Sequence, residues 1–224
     1  MIEKTISYRY KVYEQIKEDI ITGVYSQGEV LNERKLSEKL GVSRTPIREA
    51  FQLLNVEGWL VYEPYKGTIV RTFSEDYVNN LLSVRKALEI LAVEEAIKNI
   101  TEDDMEVLVH LFEEHERSLN ILNENESMKY DSKFHEKICQ ISNNKINQNL
   151  LNNLNDIIRF YGIKSLKVNI RKKYTILEHK AILQAIIERD IDEAREAMEH
   201  HIHMAGKSII HSLSDKNNLK NQSM

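Results

Sequence analysis

After Gly67 the chain runs to Met224 with no proline and only two glycines, Gly162 and Gly206. A stretch so poor in turn-forming residues is confined to helices joined by short polar breaks. Ahead of that point punctuation is dense: both prolines and five of the seven glycines fall within residues 1–67. All eight histidines follow residue 109. Turn chemistry at the front and imidazole chemistry at the back predict two domains, 1–73 and 74–213, with a polar, frayed tail at 214–224.

The front segment reads as three helices and a hairpin. Residues 7–22 place Val12, Ile16, Ile20 and Ile21 on one stripe, and Gly23 stops the helix. VYSQGEV (24–30) is a turn. Asn32 can cap a helix over 33–40 that ends at Gly41, and Ser43 can cap another over 44–57 that ends at Gly58. Pro46 falls in the first turn of that last helix, where a missing N–H costs little. WLVYE (59–63) and TIVRTF (68–73), joined by Pro64-Tyr65-Lys66-Gly67, form a β-hairpin. Three helices and a hairpin make a winged helix-turn-helix. Its third helix would present Arg44, Thr45 and Arg48 to base edges in the major groove. Arg34 can reach the backbone, and Lys66 with Gly67 at the hairpin tip suits the minor groove or a phosphate.

Bulk charge does not argue for nucleic acid. The chain carries 31 basic and 35 acidic residues, a net −4; residues 1–72 carry 11 and 10. DNA contact therefore rests on where the arginines stand. No apolar run approaches the ~20 residues of a membrane span, and MIEKTISYRY lacks the apolar core of a secretion signal. One cysteine, Cys139, cannot pair internally, which fits a reducing cytoplasm. Its spacing with Ile138 and Ile141 reads as core rather than reactive thiol.

Four stretches resemble the GntR family of bacterial transcription regulators: Gly28-Glu29-Val30-Leu31-Asn32-Glu33-Arg34-Lys35-Leu36, Leu40 through Ala50, Glu57-Gly58-Trp59-Leu60, and Gly67-Thr68-Ile69-Val70. The resemblance implies that Arg34, Arg44, Thr45, Arg48 and Gly67 touch DNA.

Behind Phe73, Ser74 can cap a helix over 75–100, and Thr101 with Asp104 is a capping-box start for 102–122. Further helices cover 126–142, 146–165, 172–188 and 191–213, an antiparallel all-helical bundle of six. Asp131 and His135 share a helix face at i, i+4; His179 and His201 lie on two other helices. Spacing alone leaves two readings, a metal site or ordinary buried and surface histidines. His110 and His115 read as surface residues, His200 as facing away from His201, and His203 and His211 as exposed.

Asp131-Ser132-Lys133-Phe134-His135, Glu178 through Ile186, and Ala197-Met198-Glu199-His200-His201 resemble the ligand-binding FCD domain of the FadR-like subclass, in its shorter, VanR-type six-helix form. The resemblance implies that Asp131, His135, His179 and His201 hold a divalent metal: zinc foremost, with nickel, manganese or iron as alternatives. Arg85, in the pattern Arg85-x-x-x-Glu89, is either an anchor for an effector carboxylate or the partner of a surface salt bridge. Asn144 matches a family asparagine, or is a helix cap.

The expectation is a homodimeric DNA-binding regulator, a repressor, that binds double-stranded operator DNA and responds to a small organic acid at the metal. It is not expected to be an enzyme or to associate with a membrane. The alternatives are a metal-dependent enzyme and a pure metal sensor built on the same histidines.

Overall fold

The computed structural model describes residues 8–166 and 169–221, with the side chains of 169–170 and 214–221 outside that description. The chain divides into two compact units, Met1–Phe73 and Ser74–Met224.

The first unit runs α1 (Tyr8–Ile21), β1 (Val30–Leu31), α2 (Glu33–Leu40), α3 (Arg44–Val56), β2 (Leu60–Glu63), β3 (Gly67–Val70). The apolar stripe of α1 packs on α3, and Ile16, Ile20, Ile47, Ala50 and Leu54 are fully buried. Asn32 caps α2 as expected, its side chain accepting from the amides of Arg34 and Lys35. Gly41 closes α2 in the left-handed conformation at φ 66°, which costs glycine nothing. The hairpin β2–β3 pairs Leu60 with Val70 and Glu63 with Gly67. The segment read as a plain turn contributes more than that. Val30 and Leu31 form a short strand paired with Ile69 and Thr68, so the sheet has three strands in the order β1-β3-β2. Two residues are too few to show an alternating pattern in sequence. At Gly58, φ is +80° and an added Cβ would lie 2.9 Å from Arg71 Nη1, so no other residue fits there without strain.

The second unit contains six helices among the described residues: α4 (Glu75–Asn99), α5 (Glu102–Asn120), α6 (Glu124–Ile141), α7 (Lys145–Ser165), α8 (Asn169–Glu188) and α9 (Ile191–Asn221). The last extends beyond the 213 read from sequence. The backbone of 214–221 is therefore helical rather than frayed, while residues 222–224 of the expected tail lie outside the described residues. Thr101 and Asp104 complete a reciprocal capping box on α5. The scarcity of glycine is met by left-handed non-glycine residues in three tight connections, Leu122, Asn143 and Arg189. Arg189 also donates to the carbonyls of Ile97 and Ile100, satisfying the end of α4. Helix α4 packs against α6, α7 and α9, and α8 against α5 and α9. The core they share includes Ala92, Phe134, Ile138, Ile182, Ile186 and Met198. Cys139 belongs to it, and burial pushes its thiol up to about 11. No helix among the described residues is long and apolar enough to cross a membrane.

Candidate functional site

In the first unit, one face of the first two turns of α3 is open to solvent, while Ile47 and Ala50 on the other face are buried. Ser43 occupies the N-cap position but its side chain makes no capping bond, against expectation, so its hydroxyl stays available beside the free amides of the helix start. Arg44, Thr45 and Arg48 are exposed on that end. Both guanidiniums converge on one carboxylate. Arg48 holds Glu33 through Nε at 3.3 Å and Nη2 at 3.0 Å, and Arg44 reaches it at 3.3 Å. The Arg48 hydrogen bond leads in holding the Glu33 carboxyl below its ordinary range. Arg34 pairs with Glu38 at 3.0 Å and Lys66 with Glu63 at 2.8 Å. Exposed pairs of this kind contribute little, ~0–1 kcal/mol, so a phosphate or a guanine edge can displace the carboxylates. Gly67 opens β3 at φ 97° beside Tyr65, which is fully exposed at the hairpin tip.

In the second unit, Asp131, His135, His179 and His201 come together although three helices supply them. Each offers one ligand atom, and these atoms all lie within 4.8 Å of one another; all four residues are buried. The hydrogen bonds behind the imidazoles set their orientation. Nδ1 of His135 lies 3.1 Å from Glu89, Nδ1 of His179 2.9 Å from the Thr175 carbonyl, and Nδ1 of His201 2.9 Å from Glu178. All three partners are acceptors only, so the tautomer they select carries its proton on Nδ1 and keeps the Nε2 lone pair free. Nε2 of His135 and of His179 are buried with no hydrogen-bond partner. His179 Nε2 sits 3.1 Å from Asp131 Oδ1 without a hydrogen bond between them, close enough for one ion to take both atoms as ligands. Buried, oriented and unsatisfied lone pairs facing a carboxylate fit a divalent ion, and the cluster could hold one.

The electrostatics agree. Burial lowers the His201 imidazole well below its ordinary range, with His179 and His135 adding to it, so the ring is neutral. Burial opposes ionisation of Asp131, but the imidazoles around it outweigh burial and keep it a carboxylate. Glu89 is likewise held down to about 2 against its burial by His135 and Arg85.

Arg85 is not on the surface. It is 3% exposed and pairs with the fully buried Glu89 through Nε at 3.1 Å. The Arg85-x-x-x-Glu89 pattern is thus a buried pair behind His135. Arg85 also lines a small cavity of about 30 Å³, together with Asp131, His201, Arg171, Thr175 and Ser165. That volume holds about one or two waters. Asn144 is not brought there: its side chain caps α7 by accepting from the Asn147 amide and donates to Glu95.

Sequence reasoning missed Glu178, Arg171 and Thr175. Glu178 bridges Arg171, at 2.5 and 2.7 Å, to His201. It also placed His115 wrongly. His115 is fully buried, its ring 4.7 Å from that of His179, and neither of its nitrogens has a partner. The signal was present, since Leu108, Phe112, His115 and Leu119 recur at helical spacing. His110, His200, His203 and His211 are exposed.

Burial foremost, with the neighbouring His179 imidazole adding to it, pushes the His115 imidazole down from 6.5 to about 3. Between those values the unfolded chain binds a proton that the folded chain does not, so stability falls as pH falls below 6.5. Metal-free protein is expected to lose roughly 2 kcal/mol through this residue between pH 7 and pH 5. Urea midpoints of wild type and His115→Phe at the two pH values check this, and equal losses in both proteins would remove His115 as the cause.

Two family models match the chain. Residues 9–70 match the bacterial regulatory proteins of the gntR family, and residues 80–204 match the FCD domain. The chain is 30% identical over 215 residues to YdhC, an HTH-type transcriptional regulator of Bacillus subtilis (strain 168), covering 96% of each. It is 27% identical over 185 residues to the gluconate operon transcriptional repressor of the same organism, covering 80% of this chain and 76% of that one. The solved structure of E. coli McbR/YncC shares the fold, with a TM-score of 0.80 at 21% identity over 94% of this chain and 100% of the other.

Proposed function

The chain belongs to the GntR family of bacterial transcription regulators, with an FCD domain behind its DNA-binding domain, and on this basis we propose that it is a homodimeric repressor whose operator binding is relieved by a small organic acid at a metal centre. Regulators of this family bind operator DNA. In this reading Arg44, Thr45 and Arg48 read the major groove, while Arg34, Lys66 and Gly67 hold the backbone. A homodimer would match its two-fold axis to a palindromic operator.

The observation that carries the effector half is the convergence of Asp131 and the three Nε2 lone pairs beside a cavity that Arg85 also lines. A divalent ion held there, zinc by donor chemistry, supplies an open position for a carboxylate or hydroxyl. Arg85 uses only Nε on Glu89 among its described contacts, so its terminal nitrogens can fork onto an effector carboxylate. Asp131 and the imidazoles anchor; Glu89, Glu178 and the Thr175 carbonyl aim them. The names of relatives such as the gluconate operon repressor support repression and a sugar-acid type of effector. Because the cavity holds about two waters, an acid enters only if lining side chains move, which ties binding to conformation.

The cavity's small size also favours a second reading, in which the metal alone is the signal. One titration separates the two. Operator fragments are bound by zinc-loaded and by chelator-treated protein, and hydroxy acids are added to each. Release by acid only in the loaded protein is expected. Release on zinc loading without acid would establish the second reading, and release by acid after chelation would remove the metal from the effector site.

A further inference from the structure

The tip of the hairpin carries a residue that its backbone does not suit. Glu63 to Lys66 form a turn closed by the Lys66 amide, which donates to the Glu63 carbonyl at 3.2 Å. Pro64 takes the second position and Tyr65 the third, at φ 67°. Proline followed by a positive φ is the type II arrangement, whose third position favours glycine or asparagine. A left-handed backbone crowds any Cβ, so a tyrosine there is strained. Nothing in the fold offsets that strain. Tyr65 is fully exposed and makes no hydrogen bond, ion pair or ring contact among the described residues.

The hairpin and α3 present one surface. Arg48 and Gln52 of α3 line a groove together with Tyr62 and Thr68 of the hairpin. Tyr65 stands three residues beyond Tyr62, roughly 10 Å of strand. With α3 in the major groove, a tip that far along the hairpin overhangs the neighbouring minor groove. Pro64 fixes the turn, so the ring is carried on a backbone with little freedom to lose on binding.

We propose that Tyr65 enters the minor groove beside the site held by α3 and selects A·T over G·C pairs there. This rests on the docking of α3 given above. The minor groove is about 6 Å wide and narrower in A-tracts. An aromatic ring standing on edge fits between its sugar walls, with the hydroxyl at the floor. There A·T and T·A pairs present only the acceptors adenine N3 and thymine O2, to which a phenol donates. The amino group of guanine rises from the same floor and keeps the ring out.

The test has full-length wild type and Tyr65→Gly each select from one pool of random DNA duplexes. Sequence enriched by both proteins reports α3; a flanking A·T preference should appear only with wild type. A selected duplex is then made with A·T, G·C or inosine·C at the flanking position. Inosine·C keeps the major-groove face of G·C and lacks its minor-groove amino group. Wild type should bind the G·C duplex about fivefold more weakly than the other two, and Tyr65→Gly should bind all three alike. Identical selected pools, or inosine·C behaving as G·C does, would overturn the inference and leave the docking of α3 intact. Enrichment of no sequence by wild type would overturn both. Glycine suits the turn, so the melting temperature of Tyr65→Gly should stay the same or rise. A fall of several degrees would give Tyr65 a part in holding the hairpin together and would overturn the inference as well.

Discussion

His179→Ala is expected to lose the bound ion. His179 is fully buried, its Nε2 has no hydrogen-bond partner, and its Nδ1 is fixed by the Thr175 carbonyl. Zinc bound by four protein ligands is typically worth ~10–16 kcal/mol, so losing one ligand costs roughly 3 kcal/mol, or about a hundredfold in affinity. The metal-free protein should change much less. The variant opens a cavity against Phe134 and His115, but it also deletes a buried lone pair with nothing to bond, and the two effects oppose each other. Native mass spectrometry should find close to one ion per chain in wild type and almost none in the variant, with helical content retained by circular dichroism. Thermal stabilisation by added zinc should disappear with it. Full occupancy in His179→Ala would take this residue out of the site.

Arg48→Ala should weaken operator binding by roughly 1–3 kcal/mol and relax preference at one base position. Arg34→Ala, as a loss of a phosphate contact, should instead weaken all sequences alike and reduce the salt slope by about one. The shared carboxylate adds a sign test. Glu33 occupies both Arg44 and Arg48 in the free protein, so Glu33→Gln should strengthen binding to any duplex, by about fivefold if both exposed pairs cost ~0.5 kcal/mol to break. Operator titrations over a range of salt, with specific and scrambled duplexes, check all three variants. An unchanged affinity in Arg48→Ala would exclude the proposed docking of α3, and weaker binding in Glu33→Gln would mean that Glu33 positions the arginines rather than competing for them.

Much of the fold was legible because helix signals are local. Asn32, Ser74 and Thr101 each sit where a cap was read, and the helix limits differ by a residue or two at most positions. The exceptions have physical causes. Strand β1 is two residues long and owes its existence to a partner strand far along the chain. Helix α9 continues through SDKNNLKN, whose polarity argued for a frayed end. Ser43 stands at the N-cap without capping.

The candidate site was legible only in outline. Asp131 and His135 could be placed on one face, and resemblance joined them to His179 and His201. The sequence by itself determined the helices, the turn before α3, the hairpin and the supply of imidazoles, since caps, glycines and apolar periodicity act over a few residues. Tertiary packing decided which polar groups lose water. It buried His115 rather than exposing it, turned Arg85 and Glu89 into an internal pair, and brought Glu178 from α8 behind His201 of α9. Those outcomes fix the tautomers and the free lone pairs. They depend on which helix faces which, and contacts between residues tens of positions apart leave no local trace in the chain.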